Sequence, residues 1–500
     1  MKKVLIFLLA ALLILPVVSC AKKDGETTGD NTTAAVVPES ETEASTVDDH
    51  GFIKDDLPDN LNFDTDINIL YWDDYTMTEF FVDEPNGNNI DSAIYSRNLK
   101  VEDRLGVKLN YTGTPGSADY MAAYTAKVAA DFKSDNFYDI YATYSRTPPA
   151  LSLSGYLRNL NSIQYFNSEK PWWPSALVTE VEINGKLYFA SGDISTNMLW
   201  MMIGTFYNRS LYEDRKADEL FSETPEELVK QNKWTLERLF KMTGDIYEDL
   251  NNDSSKDSGD FYGMIIYTTN IDAFQTAAGI TAIIKNPDGH LAVSPDFAGE
   301  RGTDLCQLVG DFLKKQGVYN ENATKVRNIF FEQRAIFCMD RCFIVAGKDN
   351  HVNQTKIDFS FGIIPQPKYT EDQEDYGTNL GHPFTMYCVS DTSHDIDASG
   401  AVLEALGSES YRLVTPEVFE STMKIRYADG AEVAEMYDTL RRTVSFDIGR
   451  LYAGTFGNVT ANAFRTNALS SPASYYTNIQ RSLNSIKKGI KTIEDYSFGN

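Results

Sequence analysis

The sequence has few cysteines and histidines, and too few basic residues to balance its acids. Its 500 residues include five cysteines and five histidines, and 45 Lys and Arg residues face 72 Asp and Glu, for a formal net charge of −27. So few cysteines exclude a disulfide scaffold, although one bridge among Cys306, Cys338, Cys342 and Cys388 stays open. A surface this acidic repels phosphate groups, so we expect no nucleic-acid partner. Neutral and cationic ligands remain open.

Sequence motifs of catalysis are also missing. The histidines have no zinc-binding spacing, and the chain contains no GxSxG, no GxxxxGK[ST] and no GxGxxG that opens a helix after a strand. A glycosidase needs two carboxylates about 5–10 Å apart, and a sequence with 72 acidic residues does not show which two of them lie at that distance. We therefore predict a protein that is not an enzyme, with a surface glycoside hydrolase as the alternative.

The first 20 residues have the pattern of a lipoprotein signal peptide. Two lysines precede an apolar run at 4–15, which is shorter than the roughly 20 residues of a transmembrane helix. The following VVSC at 17–20 resembles a lipobox, so we expect acylation of Cys20 by palmitate-type chains, export, and a lipid anchor on the extracytoplasmic face of the cell membrane. Residues 21–60 are rich in Thr, Glu, Asp, Ser and Ala, which predicts a disordered tether.

Strands and helices alternate after the tether. Apolar runs predict strands at 66–72, 107–111 and 138–142, and the 3.6-residue period predicts helices at 92–105, ending at Gly106, and at 118–132. This alternation indicates a parallel sheet of the βαβ kind, in an α/β fold. Ligands of such sheets bind beyond the carboxyl ends of the strands, here at Trp72–Tyr75 and Thr143–Arg146.

The stretch Ile183–Tyr212 is predicted to lead from one lobe to another. Asn184-Gly185 lies between two apolar runs and predicts a hairpin. Residues 191–197 are predicted to form a hinge strand, and residues 198–208 are predicted to form the first strand of a second sheet. Further strands are predicted at 261–267, 329–339, 359–367 and 382–390, the last as a second crossing. Helices are predicted at 234–250 with Thr235 as N-cap, 303–316, 396–406, 416–427, 431–440 and 474–489.

An acidic loop has the spacing of a calcium-binding loop. Oxygen-bearing residues fall at positions one, three, five, seven, nine and twelve of DLNNDSSKDSGD: Asp249, Asn251, Asp253, Ser255, Asp257 and Asp260. Ser254 stands where glycine is usual, and Asp260 replaces a bidentate glutamate. We expect structural Ca²⁺, with a solvated acidic loop as the alternative.

Several aromatic residues lie near predicted strand ends or the crossing, where a ring could stack on the C–H face of a sugar. Each is equally consistent with a core or rim position, because tryptophan is mostly buried in proteins. They are Trp72, Tyr75, Tyr144, Trp172, Trp173 and Trp200.

Six segments in the same order resemble extracellular solute-binding lipoproteins of carbohydrate ABC transporters, the family 1 bacterial solute-binding proteins. They are YDIYA at 138–142, GYLRNL at 155–160, INGKLYFASGD at 183–193, FYNRSLYED at 206–214, NKWTLERL at 232–239 and FGIIPQPK at 361–368. The resemblance implies a two-lobed periplasmic-binding-protein type II fold with a multi-strand hinge. It assigns 61–192 and 386–450 to an N-terminal α/β lobe, and 193–385 and 451–500 to a C-terminal α/β lobe.

The resemblance also implies ligand contacts after the strands and at the crossing. These fall at Trp72, Asp73, Asp74, Tyr144, Arg146, Asp193, Asp340 and Arg341. Trp200 is added as a candidate ligand contact because it is one of the aromatic residues near the crossing. Family members often carry a sugar-stacking tryptophan just after the last pair, where this chain has Cys342 and Phe343, so the expected pocket differs from that of a maltose binder. The implied function is capture of a sugar or oligosaccharide and its delivery to the permease subunits of an ABC transporter. A peptide or another polar solute is the alternative ligand.

Overall fold

The computed structural model describes residues 46–74, 79–134, 136–349, 357–428 and 430–499. The predicted signal peptide, the lipidation of Cys20, most of the predicted tether and Tyr75 lie outside these residues. Within the described ranges no helix combines the length and apolar character needed to cross a membrane.

Twelve β-strands are found in the described part of the chain, and they form two larger sheets and one small one. In chain order they are β1 Thr65–Trp72, β2 Val107–Thr114, β3 Ile140–Tyr144, β4 Ile203–Asn208, β5 Tyr247–Glu248, β6 Phe261–Tyr267, β7 Ile283–Lys285, β8 Leu291–Val293, β9 Val318–Glu321, β10 Ala335–Arg341, β11 Phe361–Ile364 and β12 Thr385–Val389.

Seventeen α-helices accompany them in the same ranges. They are α1 Asn89–Leu105, α2 Met121–Lys133, α3 Pro148–Leu153, α4 Ser175–Val181, α5 Thr196–Trp200, α6 Arg209–Glu213, α7 Pro225–Lys230, α8 Leu236–Thr243, α9 Ala273–Ala277, α10 Pro295–Ala298, α11 Glu300–Leu313, α12 Ala323–Phe331, α13 Ile396–Glu409, α14 Ala431–Arg442, α15 Ile448–Leu451, α16 Val459–Ser470 and α17 Tyr475–Phe498. Short 3₁₀ turns occur at Leu160–Ser162, Glu219–Phe221, Thr268–Asp272, Cys342–Asp349 and Pro472–Ser474, and π-helical stretches at Ser410–Val414 and Pro416–Arg426.

The first sheet has the strand order β12-β3-β1-β2. β1 runs parallel to both β2 and β3, with Ile67 opposite Leu109, whereas β12 pairs antiparallel with β3. The βα alternation predicted from the sequence is confirmed here, including the left-handed Gly106 that ends α1 with φ 60°. All five residues of β3 and of β12 are buried, so the core of this lobe lies against these two strands. We use "lobe" for a sheet with its covering helices.

The second sheet has the order β11-β4-β10-β6-β5, and β9 also pairs with β6. β10 lies parallel to β6 and antiparallel to β4, which places Arg341 opposite Ile203. Every residue of β10 is buried. The C-terminal helix α16 packs on α11 and α17, and α17 packs on β8, so the chain returns to this lobe at its end. α14 contacts β11 and also the π-helical stretch Pro416–Arg426, which packs on α1.

Three stretches of chain run side by side between the two sheets. The backbone N–H of Ile203 donates to the carbonyl of Asn379 at 2.9 Å, and that of Thr378 donates to the carbonyl of Thr443 at 2.8 Å. These bonds join the segment before β4, the segment before β12 and the segment after α14. The two-lobed α/β fold with a multi-strand hinge, expected from the resemblance, is what the structure has.

The folded part of the chain begins earlier than predicted. Residues 54–60 were expected to belong to a disordered tether, but Asp55 forms a two-pronged ion pair with Arg104, at 2.8 and 2.7 Å. Leu57 is buried, and Asp56 accepts from the Lys170 ammonium at 2.5 Å. Composition alone missed this segment because its few apolar residues find partners only in the folded lobe.

Three of the predicted strands were wrong in whole or in part. Residues 191–197, predicted as a hinge strand, form a turn and the start of helix α5. The apolar run at 198–208 begins with the end of helix α5 and becomes strand β4 only at Ile203, and the run at 329–339 holds the end of α12 before β10 starts at Ala335. The run at 198–208 is almost entirely apolar across both elements, so its period does not separate helix from strand. In the run at 329–339, the polar residues Glu332, Gln333 and Arg334 lie between α12 and β10 and would have indicated the boundary. The predicted turn at Asn184-Gly185 is confirmed by positive φ values of 53° and 71°. Thr235 is confirmed as N-cap of α8.

Candidate functional site

A cleft of about 420 Å³ opens between the two sheets. The carboxyl ends of β3, β6 and β10 all point at it, which is where α/β sheets bind ligands. The residues that line it are Ser117, Ala118, Asp119, Tyr144 and Arg146 from the first lobe, Ile203, Tyr267, Thr269, Asn270, Asp272 and Arg341 from the second, Asn379, Leu380, Gly381, His382 and Pro383 from the hinge, and Arg450, Ala461, Asn462 and Arg465 from the C-terminal helices.

The first-lobe wall is fixed by the residues that follow β1. The Asp74 carboxylate accepts from the N–H groups of Gly116 and Ser117 at 2.8 and 3.0 Å, and from the Ser117 hydroxyl at 2.5 Å. It thereby holds the loop before α2 against the cleft. Trp72 is fully buried, donates from its indole to the Thr385 hydroxyl at 2.9 Å, and packs edge-on to Tyr144 with ring centroids 5.6 Å apart. The tryptophan therefore supports the tyrosine that lines the cleft.

The second-lobe wall is built on a buried carboxylate, Asp340. Its oxygens accept from Arg327 at 2.6 and 3.2 Å and from the Asn270 amide at 3.3 Å. Burial raises the pKa of this carboxyl, but the charges and hydrogen bonds of Arg327 and Arg341 together outweigh burial and hold the pKa below its ordinary value. Arg341 is 7% exposed, lies 3.7 Å from the same carboxylate, and sits over the ring of Tyr267, 5.5 Å from its centroid.

The C-terminal helices add two arginines. Arg465 forms an ion pair with Asp272, and the other oxygen of Asp272 is buried without a hydrogen-bond partner in the described part of the chain. Arg450 donates to the Asn379 side chain and lies 3.4 Å from the imidazole of His382. These contacts tie the end of the chain to the hinge.

Burial dominates the electrostatics of the cleft. It raises the pKa of Asp272 to about 6, against the opposing effect of Arg465, Arg450 and Arg146. Burial and the same arginines lower the pKa of His382 well below its usual value, so this imidazole is neutral at pH 7. With four arginines and two aspartates among its lining residues, the cleft carries an excess of positive charge.

Comparisons with solved structures identify the fold. A cyclic alpha-maltosyl-1,6-maltose binding protein from Arthrobacter globiformis superposes with a TM-score of 0.54 at 15% identity, covering 85% of this chain and 99% of that one. An ABC substrate-binding protein from Listeria monocytogenes in complex with cycloalternan gives 0.53 at 12% identity, covering 85% and 99%. The fold is that of ABC substrate-binding proteins.

A third substrate-binding protein of this fold extends the comparison. The MalE domain from Bdellovibrio bacteriovorus bound to maltotriose gives a TM-score of 0.51 at 13% identity, covering 85% of this chain and 100% of that one. No protein-family model matches the chain, and no curated protein matches it by sequence. The likeness to substrate-binding proteins is therefore one of fold.

The predicted ligand contacts do not all meet in the cleft between the lobes. Tyr144, Arg146 and Arg341 line it, whereas Trp72, Asp74 and Asp340 lie directly behind lining residues. Asp73 is exposed at the end of β1, and Trp200 is buried in α5; neither lines the cleft.

Asp193 lines a separate cavity of about 470 Å³. Its carboxylate accepts from the Thr415 hydroxyl at 2.8 Å and from Arg441 at 2.9 Å. Burial raises the pKa of Asp193, an effect that these two partners oppose. This aspartate already has partners within the protein.

In the predicted calcium loop, carboxylate oxygens accept hydrogen bonds from backbone N–H groups of the same loop. Asp249 accepts from the N–H groups of Asn252 and Ser254 at 2.7 and 3.0 Å, and Asp260 accepts from that of Asp257 at 3.0 Å. In the described ranges no group of three or more His, Cys, Asp or Glu side chains is arranged to hold a metal ion. Ser254, at the usual glycine position, has a left-handed φ of 61°.

Sequence reasoning missed Tyr267, Asn379, Arg450 and Arg465. The tyrosine ends β6, a predicted strand, so the rule of carboxyl ends could have found it. The asparagine lies in a hinge segment, and the two arginines lie in C-terminal helices that return to the second lobe. No local pattern marks residues that only the tertiary fold brings to a cleft.

Proposed function

We propose that the protein captures a sugar or oligosaccharide in the cleft between its lobes and delivers it to an ABC permease. One observation carries the proposal: a polar cleft, lined from both sheets and the hinge, lies at the carboxyl ends of the strands in a fold shared with substrate-binding proteins that were crystallised with oligosaccharides. Its volume falls in the range of small-molecule sites. Tyr144 and Tyr267 supply ring faces, and Asn270 and Asn379 supply amides for hydroxyl groups.

Capture in such a cleft works by hinge bending. A ligand that contacts both lobes favours the closed state over the open one, because only the closed state offers all the contacts. Three neighbouring hinge segments allow rotation while keeping the lobes aligned. The permease would then bind the closed state of the protein.

A glycoside hydrolase is the competing function. Only two carboxylates are found among the described lining residues, and one of them, Asp272, is ion-paired with Arg465. The experiment incubates the purified protein with a panel of oligosaccharides and follows both melting temperature and products. We expect a ligand-dependent rise in melting temperature without turnover. Release of shorter sugars would contradict the capture function.

We further propose that Cys20 is lipidated and that the mature protein is tethered outside the cytoplasmic membrane. The lipobox-like sequence at 17–20 supports this. Replacing Cys20 by serine is expected to release the protein from the membrane fraction and to abolish labelling by a palmitate analogue. Unchanged membrane retention and labelling would overturn the proposal.

We also propose a structural Ca²⁺ ion in the loop 249–260. Support comes from the spacing of its oxygen ligands, from the left-handed φ of Ser254, and from a buried oxygen of Asp260 that no described residue contacts through a hydrogen bond. Chelation with EDTA should lower the melting temperature, and Ca²⁺ should restore it. An unchanged melting curve, with no metal detected by mass spectrometry, would retire this proposal.

A further inference from the structure

The arginines of the cleft differ in how their charge is balanced. Arg465 is paired with Asp272, and Arg341 shares the Asp340 carboxylate with Arg327. Arg146 and Arg450 form no direct ion pair with any residue in the described ranges; the Asp272 carboxylate acts on both from a longer distance, and it is already paired with Arg465. Each of these two contacts uncharged side chains: Arg146 donates to Asn458 at 2.5 Å, and Arg450 to Asn379.

The same guanidinium groups also retain unused donors. The Nε atoms of Arg146, Arg341 and Arg450 and the amide nitrogen of Asn379 are buried, and none of them has a hydrogen-bond partner among the residues that the structure describes. A buried donor without a partner is costly, and a ligand acceptor would satisfy it once the arginine side chains shift to expose these nitrogens to the cleft. The planar guanidinium fork matches a carboxylate or sulfate, whose two oxygens can accept from one arginine. Hydroxyl groups of a neutral sugar would leave the excess positive charge unbalanced.

The acidic surface of the protein does not oppose an anion in this cleft. The net charge of −27 is spread over the whole chain, and salt screens charges beyond about 8 Å at physiological ionic strength. Partly buried groups are screened much less, so the local arginines dominate inside the cleft. The sequence-based preference for neutral or cationic ligands considered only the overall charge.

Resting on the proposed function, we infer that the captured ligand is an acidic saccharide, whose carboxylate or sulfate lies between Arg146 and Arg450. The rest of the sugar contacts Tyr267 and the asparagines of the cleft. Arg146 comes from the first lobe and Arg450 from a C-terminal helix that packs with the second. One anionic group therefore bridges both sides and favours closure.

The test uses pairs of sugars that differ in one anionic group: galacturonate against galactose, trigalacturonate against galactotriose, and N-acetylgalactosamine 4-sulfate against N-acetylgalactosamine. Binding is measured by titration calorimetry and by melting temperature. We expect an acidic member to bind at least about tenfold more tightly than its neutral partner, in keeping with charge-assisted hydrogen bonds. Comparing the carboxylated with the sulfated pair tells which anion fits. Raising NaCl from 0.1 to 1 M should narrow the difference.

The variants Arg146→Gln and Arg450→Gln should each remove most of the preference for the acidic member of a pair. Arg481→Gln, which changes an exposed arginine on α17, is the matched control and should behave as wild type. Melting curves of the unliganded variants show whether they fold. The comparison of acidic with neutral sugars on the wild-type protein does not depend on the variants.

The outcomes separate the two proposals. Equal or tighter binding of neutral partners would overturn the acidic ligand and leave sugar capture intact. An acidic preference that survives in both cleft variants would overturn the role of these arginines. Failure of every saccharide, acidic and neutral, to bind would overturn sugar capture itself, and the acidic ligand with it.

Discussion

Two cavities of similar size differ in what lines them. The cleft between the lobes measures about 420 Å³ and is lined by arginines, asparagines and tyrosines. The second cavity measures about 470 Å³, and most of its lining is apolar, with Trp173, Met198, Met202 and Phe446 among its residues. Size therefore does not indicate which of the two cavities binds a ligand.

The two cavities differ in whether their charged side chains have charged partners. In the second cavity Asp193 is held by Arg441 and Thr415. In the cleft, Arg146 and Arg450 have only uncharged hydrogen-bond partners within the described ranges. This difference supports the cleft, and not the second cavity, as the proposed ligand site.

The largest expected effect concerns the wall beneath the cleft. Arg327→Met removes the two-pronged partner of Asp340 and leaves a fully buried carboxylate without its main counter-charge. Loss of one member of a buried ion pair typically costs about 3–5 kcal/mol. We expect the free energy of unfolding, measured by urea titration, to fall by about that amount.

The matched control is Arg158→Met, which breaks an exposed pair with Asp391. Exposed pairs contribute about 0–1 kcal/mol, so this variant should melt close to wild type. Equal destabilisation by the two substitutions would show that burial of the Asp340 pair carries no special weight.

A smaller effect is expected next to the second cavity, at Glu404. This carboxylate accepts from the indole of Trp173 at 3.0 Å, and burial raises its pKa to about 7. Its folded-state pKa is raised, so its stabilising contribution is fully present below the ordinary pKa of about 4.3. That contribution is lost as the pH rises through about 7.

Glu404→Gln keeps an acceptor for the indole and removes the titration. The gain in stability over wild type should be larger at pH 8 than at pH 5, by on the order of 2 kcal/mol. Melting curves of both proteins across this range check the prediction. A difference between them that does not change with pH would contradict the raised pKa.

The smallest effect is expected for Asp193→Asn. The resemblance implied a ligand contact here, but the carboxylate lies in the second cavity, and its partner Arg441 is more than one-third exposed. We expect a change in unfolding free energy within about 1 kcal/mol and unaltered saccharide affinity by calorimetry. Loss of affinity would favour the assignment made from the sequence and weaken the contrast between the cavities.

Much of the scaffold could be predicted from the sequence because local rules determine it. Alternating apolar runs and helical periods indicated the parallel sheet, Gly106 marked the end of α1, and Asn184-Gly185 marked a tight turn. The rule that ligands bind at carboxyl ends of strands located Tyr144 and Arg146, which line the cleft.

The rest depends on tertiary contacts. Trp72 and Trp200 are residues of the type that stacks on sugars, yet both are fully or almost fully buried. A sequence does not tell which face of a strand or helix meets a cleft. Arg450 and Arg465 reach the cleft from the last part of the chain. Their role could not be inferred before the C-terminal helices were placed on the second lobe.

Hydrogen exchange followed by mass spectrometry tests the central claim most directly, because it locates a bound saccharide without any substitution. At a saturating concentration of a stabilising saccharide, the account predicts slower exchange in 117–119, 144–146, 267–272 and 379–383, which line the cleft from both lobes and the hinge. Protection confined to 168–176 and 192–202, which line the second cavity, would contradict it.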